Sequence, residues 1–159
     1  MANRRLHPER FQSSYAHLVD HQMAASVNST AKQQLGQIIE VPGGSMGKNG
    51  AVRVRVVGTA TNNANVKTIT LDFGALSAAV AVTSAAAFSL EFYIGNKNDF
   101  SLQNLQGVHL VGTTDSIAAA VAGTVNTGSD VNLTLSATLA TGTDVITILR
   151  YEVEVIPNV

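Results

Sequence analysis

The 159-residue chain has no cysteine and no tryptophan, only three prolines, and only 13% charged residues. Without cysteine there are no disulfides and no thiolate metal sites, which fits synthesis in a reducing cytosol. Ten basic against eleven acidic residues leave a net charge of −1, which argues against bulk electrostatic binding to nucleic acid. No run of eighteen apolar residues occurs, so no membrane-spanning helix is expected. Arg4 and Arg5 are not followed by an apolar stretch, so no secretory signal is expected, and the sequons at Asn28 and Asn132 carry no expectation of glycosylation.

What remains is Ala, Val, Ser, Thr, Asn and Gly. A surface made of these instead of Lys and Glu is weakly solvated and points to contact with other protein copies, beside the plainer reading of a neutral soluble β-domain. At 16.6 kDa one domain is expected. A chain of this length buries about 70% of its unfolded surface without staples.

The chain changes character near residue 36. Residues 1–36 hold four basic and two acidic side chains, against six and nine in the remainder. Pro8 and Glu9 suit a first helical turn. Phe11, Tyr15, Leu18, Val19 and Met23 then recur at helical spacing. This predicts an N-terminal, partly helical arm over 1–36, its amphipathic helix frayed around 26–30, ahead of a β-domain over 37–159. A helix so short must lie against something, its own sheets or a neighbouring subunit.

Beyond residue 35 the period is two. VPGGSMGKNGAVRV (41–54) is a glycine-rich turn ending in Asn49-Gly50 that launches a strand, and Asn62, Asn63 and Asn65 reverse the chain into another. Strands are predicted at 35–41, 51–61, 68–73, 76–82, 88–94, 108–111, 117–125, 131–136 and 145–156. Val52, Val54 and Val56 oppose Arg53 and Arg55; Phe88, Leu90, Phe92 and Ile94 oppose Ser89, Glu91 and Tyr93. In the last strand Val145, Leu149, Tyr151, Val153 and Val155 share a face against Arg150, Glu152 and Glu154. Strands at short intervals with turn residues between predict an all-β fold, a jelly-roll-like antiparallel β-sandwich.

Candidate chemistry is sparse. His17 and His21 are four apart on the expected helix beside Asp20, a possible two-ligand metal patch, but no third ligand is specified and the HExxH glutamate is missing, so they read as exposed histidines. There is no GxSxG, and the glycines at 43–50 with Lys48 precede a strand, so no phosphate loop is expected. Asp99, Asp115, Asp130 and Asp144 fall in expected turns without the dense spacing of a calcium loop; local hydrogen bonding explains them. No catalytic residue, metal or cofactor is expected. Sugar binding leans on exposed aromatics, and of the three tyrosines only Tyr93 falls on an expected solvent face, which counts against a carbohydrate-binding module.

The segments VPGGSMGKNGAVRV and TNNANVKTITLDFG, with the terminal ITILRYEVEVI, resemble a pattern in small virion proteins of tailed bacteriophages, with Ala75 where that pattern has a second glycine. The resemblance implies a jelly-roll virion component. An arm ahead of a charge-poor sandwich suits a capsid cement or decoration protein. Its partners would be the major capsid protein and copies of itself, as a homotrimer on the outer capsid surface. No nucleic acid or membrane partner is expected. Arg4, Arg5 and Arg10 are the candidate polar contacts of such an interface, and Phe11, Tyr15 and Leu18 its apolar anchors. The alternatives are a tail-associated receptor- or carbohydrate-binding module and, least supported by the residues, an enzyme such as a cupin-like metalloprotein.

Overall fold

Alternating small apolar and polar residues between Asn- and Gly-rich reversals build strands with one buried face. The computed structural model describes residues 4–5, 22–84, 86–111 and 120–158, and among them it contains strands and no helix. In order these are β1 (Arg4–Arg5), β2 (Gln22–Val27), β3 (Gln33–Val41), β4 (Ala51–Ala60), β5 (Lys67–Phe73), β6 (Leu76–Val82), β7 (Ala87–Asn96), β8 (Gln103–Val111), β9 (Val121–Gly123), β10 (Val131–Leu139) and β11 (Ile146–Ile156).

They form two facing sheets, one in the order β1-β3-β10-β5-β6 and one in the order β2-β11-β4-β7-β8-β9. Neighbours run antiparallel except for β1, which lies parallel to β3. The result is an all-β sandwich whose chain crosses between sheets at most connections, as in a jelly roll. It departs from the eight-stranded roll at β5–β6, β7–β8 and β8–β9, consecutive strands that pair within one sheet.

The core lies between the sheets. Val52, Val54 and Val56 of β4, Ile69, Leu71 and Phe73 of β5, and Leu90, Phe92 and Ile94 of β7 are fully buried, on the faces their alternation predicts. Three expectations need correction. The helix expected from Phe11 to Met23 lies outside the described residues up to residue 21, and only its end at Met23 is corrected. Met23 lies in β2, opposite Arg150, because the open edge of β11 supplies hydrogen-bond partners that an isolated short helix lacks. The first strand begins at Gln33 and is interrupted at Gly36, whose φ of 72° accompanies a register shift against β10.

The third correction concerns β11. Its pairing with β4 shifts between Ile148 and Arg150, so Leu149 and Arg150 together oppose Val57. The bulge reverses the alternation. Ile146 and Ile148 face the core before it, Tyr151, Val153 and Val155 after it, and Val145 and Leu149 are exposed.

The glycine-rich turn closes one end of the sandwich. Met46 is buried there, and its carbonyl accepts the Asn158 amide at 3.0 Å. Gly50 is required by contact: an added Cβ would fall 1.8 Å from the Met46 carbonyl oxygen and 2.5 Å from that of Ile156.

Candidate functional site

Tyr93 sits near the end of β7 on the outer face of the six-stranded sheet and is 47% exposed. Strand pairing sets Gln106 of β8 directly opposite it and Asn104 opposite Gly95. Residues two apart share a face, so Tyr93 and Gly95 on one strand stand beside Gln106 and Asn104 on the next. Gly95 leaves a gap where a side chain would stand, and the Tyr93 ring leans over it, 3.1 Å from where a Cβ would be. Asn49, from the glycine-rich turn, and Lys97, just beyond β7, complete a depression of about 310 Å³.

Among the described residues no carboxylate lines this depression. The side chains of Asn49, Tyr93, Lys97, Asn104 and Gln106 make no hydrogen bond or ion pair to another described residue. Three amides, a phenol and an ammonium are therefore free to meet a ligand beside one exposed aromatic face.

Beneath them the structure is tied down. Asn96, buried, donates its amide to the Gly47 carbonyl at 2.6 Å and to Thr127 Oγ1 at 2.8 Å, and accepts from Gln103 Nε2 at 3.1 Å. Gln103 also donates to the Phe100 carbonyl and accepts the Val125 amide. The Gly43 amide donates to Asp130 Oδ1, and the Gly44 amide to the Thr127 carbonyl. Three loops are thus bound to the strands that carry Tyr93 and Asn104, and the rim that holds Asn49 and Lys97 is fixed by groups below the surface.

Elsewhere on the same outer face, Arg150, Val57 and Ser89 pair across β11, β4 and β7. With Arg55 and Glu152 they line a shallower depression of about 270 Å³. Val57 is 41% exposed, and Leu149 in the β11 bulge and Leu110 on β8 are each 51% exposed. Here the charges are paired: Arg55 Nε with Glu91 at 2.9 Å, Arg53 with Glu154, and Arg150 with Glu152.

At the opposite end of the sandwich a second polar cluster lies inside. Lys67 shares the inward face of β5 with Ile69 and is fully buried. Its ammonium donates to Asn63 Oδ1 at 2.7 Å, the Asn65 carbonyl at 2.8 Å and the Asn63 carbonyl at 3.2 Å. Asn63 Nδ2 donates in turn to Asp144 Oδ1 at 2.6 Å. That bond holds the Asp144 carboxyl below its ordinary value; burial works against it, while Asn65, Thr141 and Lys67 pull the same way. All three donors of Lys67 are used, and the cluster joins the β4–β5 and β10–β11 turns, with Asp144 Oδ2 buried beside it without a hydrogen-bond partner.

Of the expected interface residues, Arg4 and Arg5 form β1, paired with Ile39 and Glu40. Arg10, Phe11, Tyr15 and Leu18 lie outside the described residues, as do His7, His17, His21 and Asp115. Asp99 accepts the Ser101 amide at 2.7 Å, the local turn bond expected of it. Among the described residues no three His, Asp or Glu side chains gather as a metal site. Sequence reasoning placed Tyr93 on a solvent face but named it no site residue, and it missed its companions. Asn104 and Gln106 sit at the spacing of one strand face, but their meeting with Tyr93 depends on strand pairing.

No protein-family model and no curated protein sequence matches the chain. Among solved structures it is similar to winged bean acidic lectin complexed with methyl-α-D-galactose, at 10% identity over 91% of this chain and 93% of that one, with a TM-score of 0.41. It is also similar to basic winged bean lectin with Tn-antigen, at 11% identity over 86% and 92% with a TM-score of 0.37. Lectin I-B4 of Griffonia simplicifolia in its metal-free form follows at 12% identity over 69% and 72%, with a TM-score of 0.36. These likenesses are too slight to carry residues or activity across, and the chain stands as an all-β, two-sheet sandwich.

Proposed function

We propose that this chain is a non-catalytic structural protein of a tailed-phage virion, a capsid cement or decoration protein that joins copies of itself, as a homotrimer, to the head shell. The observation that carries the reading is the row Leu149, Val57 and Leu110 across the outer face of the six-stranded sheet, fenced by the Arg55–Glu91 and Arg150–Glu152 pairs. An apolar centre with an arginine-bearing polar rim is the composition of a protein–protein contact. Arginines and glutamates are mixed evenly on this face, so a second copy meets complementary charges there. The charge-poor composition and the turn motifs shared with phage virion proteins support the same reading.

In this reading the part of the expected 1–36 arm that precedes β2, with Arg4, Arg5, Arg10, Phe11, Tyr15 and Leu18, contacts the major capsid protein on the outer surface of the capsid. The test is sedimentation of the purified chain, alone and with heads that lack it. Val57→Asp with Leu149→Asp is expected to abolish self-association without lowering the melting temperature. Removing residues 2–20, which spares β2, is expected to abolish head binding. A chain that stays monomeric and gives heads no added resistance to heat overturns the proposal. Head binding unchanged by the truncation places the contact on the sandwich instead.

A further inference from the structure

We propose that the depression beside Tyr93 is a binding site for one pyranose sugar residue, held without being cleaved. A sugar ring has an apolar face of C–H groups and an equatorial edge of hydroxyls that both donate and accept. The depression offers the complement of each: the exposed Tyr93 ring beside the gap at Gly95, and the amides of Asn104, Gln106 and Asn49 around it. An amide presents a donor and an acceptor together, which matches adjacent hydroxyls better than a single charge does.

Three observations narrow the ligand. The volume of about 310 Å³ lies at the small end for ligand sites, which suits one terminal residue and not a long chain. Among the described residues the lining contains no Asp or Glu, the pair that glycoside hydrolysis uses, so these residues fit a sugar that is held and not cleaved. Lys97 is the one cation of the lining, and the nearby Arg53, on the strand beside Tyr93, is paired with Glu154. A lone ammonium serves a sugar hydroxyl or a carboxylate substituent but does not make a nucleic-acid track, which needs a run of phosphate contacts. The hydrogen bonds of Asn96 and Gln103 hold the rim in place before any ligand arrives, so little ordering is needed on binding.

The proposal is independent of the association row at Val57, which lies on the same sheet but shares no lining residue with this depression. It is tested on the full chain by saturation-transfer NMR and calorimetry with methyl glycosides of neutral, N-acetylated and acidic pyranoses, and with a single-stranded oligonucleotide as comparison. We expect binding of at least one pyranoside, weakened about tenfold or more by Tyr93→Ala, the loss of one aromatic contact. Asn104→Ala with Gln106→Ala should weaken it further, and Lys32→Ala, whose ammonium pairs with Asp72 of the other sheet, should leave it unchanged. All these side chains are solvent-facing, and circular dichroism and melting confirm the fold of each variant. Silence toward every pyranoside, binding indifferent to Tyr93→Ala, or binding of the oligonucleotide alone at Tyr93 overturns the proposal.

Discussion

Replacing Lys67 by Met tests the internal cluster that joins two of the sandwich's turns. Met keeps the unbranched apolar stem that lies among the core residues of β5 and removes only the ammonium. The amine is fully buried and gives its three hydrogens to Asn63 Oδ1 and to the Asn63 and Asn65 carbonyls. A hydrogen bond to a charged group contributes about 1.5–3 kcal/mol when fully buried. Asn63 and Asn65 are only half-buried, so water recovers part of each loss, and about 1 kcal/mol per bond is the better figure. The expected cost is about 3 kcal/mol, or about 6–12 °C in melting temperature for a chain of this size.

Urea denaturation with an unchanged slope measures that cost directly. A double variant with Asp144→Asn should lose less than the two single losses combined, since both residues act through Asn63. A loss below about 1 kcal/mol, or a gain, would show that desolvating the amine offsets its bonds and would refute the reasoning.

Two further outcomes follow from the same geometry. Asp144 has a depressed folded-state pKa, so its stabilising contribution is present above its ordinary value of 3.8 and is lost as pH falls through the lower folded value. Melting followed from about pH 6 to about pH 2 should show a steeper acid decline for the parent chain than for Asp144→Asn. Among the turn glycines, Gly44→Ala meets open space and only the backbone penalty of φ +75°, about 1 kcal/mol, whereas Gly50→Ala drives a Cβ into two backbone oxygens and should cost about 3 kcal/mol or more. Soluble yield and melting temperature of the two variants separate these mechanisms.

Much of the sandwich is legible in the chain because a strand with one buried face must alternate. Val52, Val54 and Val56 against Arg53 and Arg55 read correctly without any partner strand. The alternation fails where a bulge inserts a residue: nothing local at Ile148-Leu149-Arg150 reveals the shift against Val57 that turns Leu149 outward. Lys67 carries no sign of its burial for a related reason. Its register with Ile69 and Leu71 points it inward, and a lysine is accepted there only because Asn63 and Asn65 fold back over it. At Met23 a helical spacing gives way to pairing with β11, since an open sheet edge outweighs weak local propensity.

Of the candidate site only the outward position of Tyr93 was legible in the sequence, and the site itself was not expected. Tyr93 stands out as an aromatic on a polar face, which alternation alone reveals. Its meeting with Asn104 and Gln106, and with Asn49 from a turn more than forty residues away, exists only once β7 pairs with β8 and the glycine-rich turn docks on Asn96. Composition and period were enough for an all-β sandwich poor in charge, because burial and alternation are properties of neighbouring residues in one strand. Strand order, the bulge and the depression belong to the folded molecule alone, because hydrogen bonds between strands join residues far apart in the chain, and the period of a strand carries no record of which strand lies beside it.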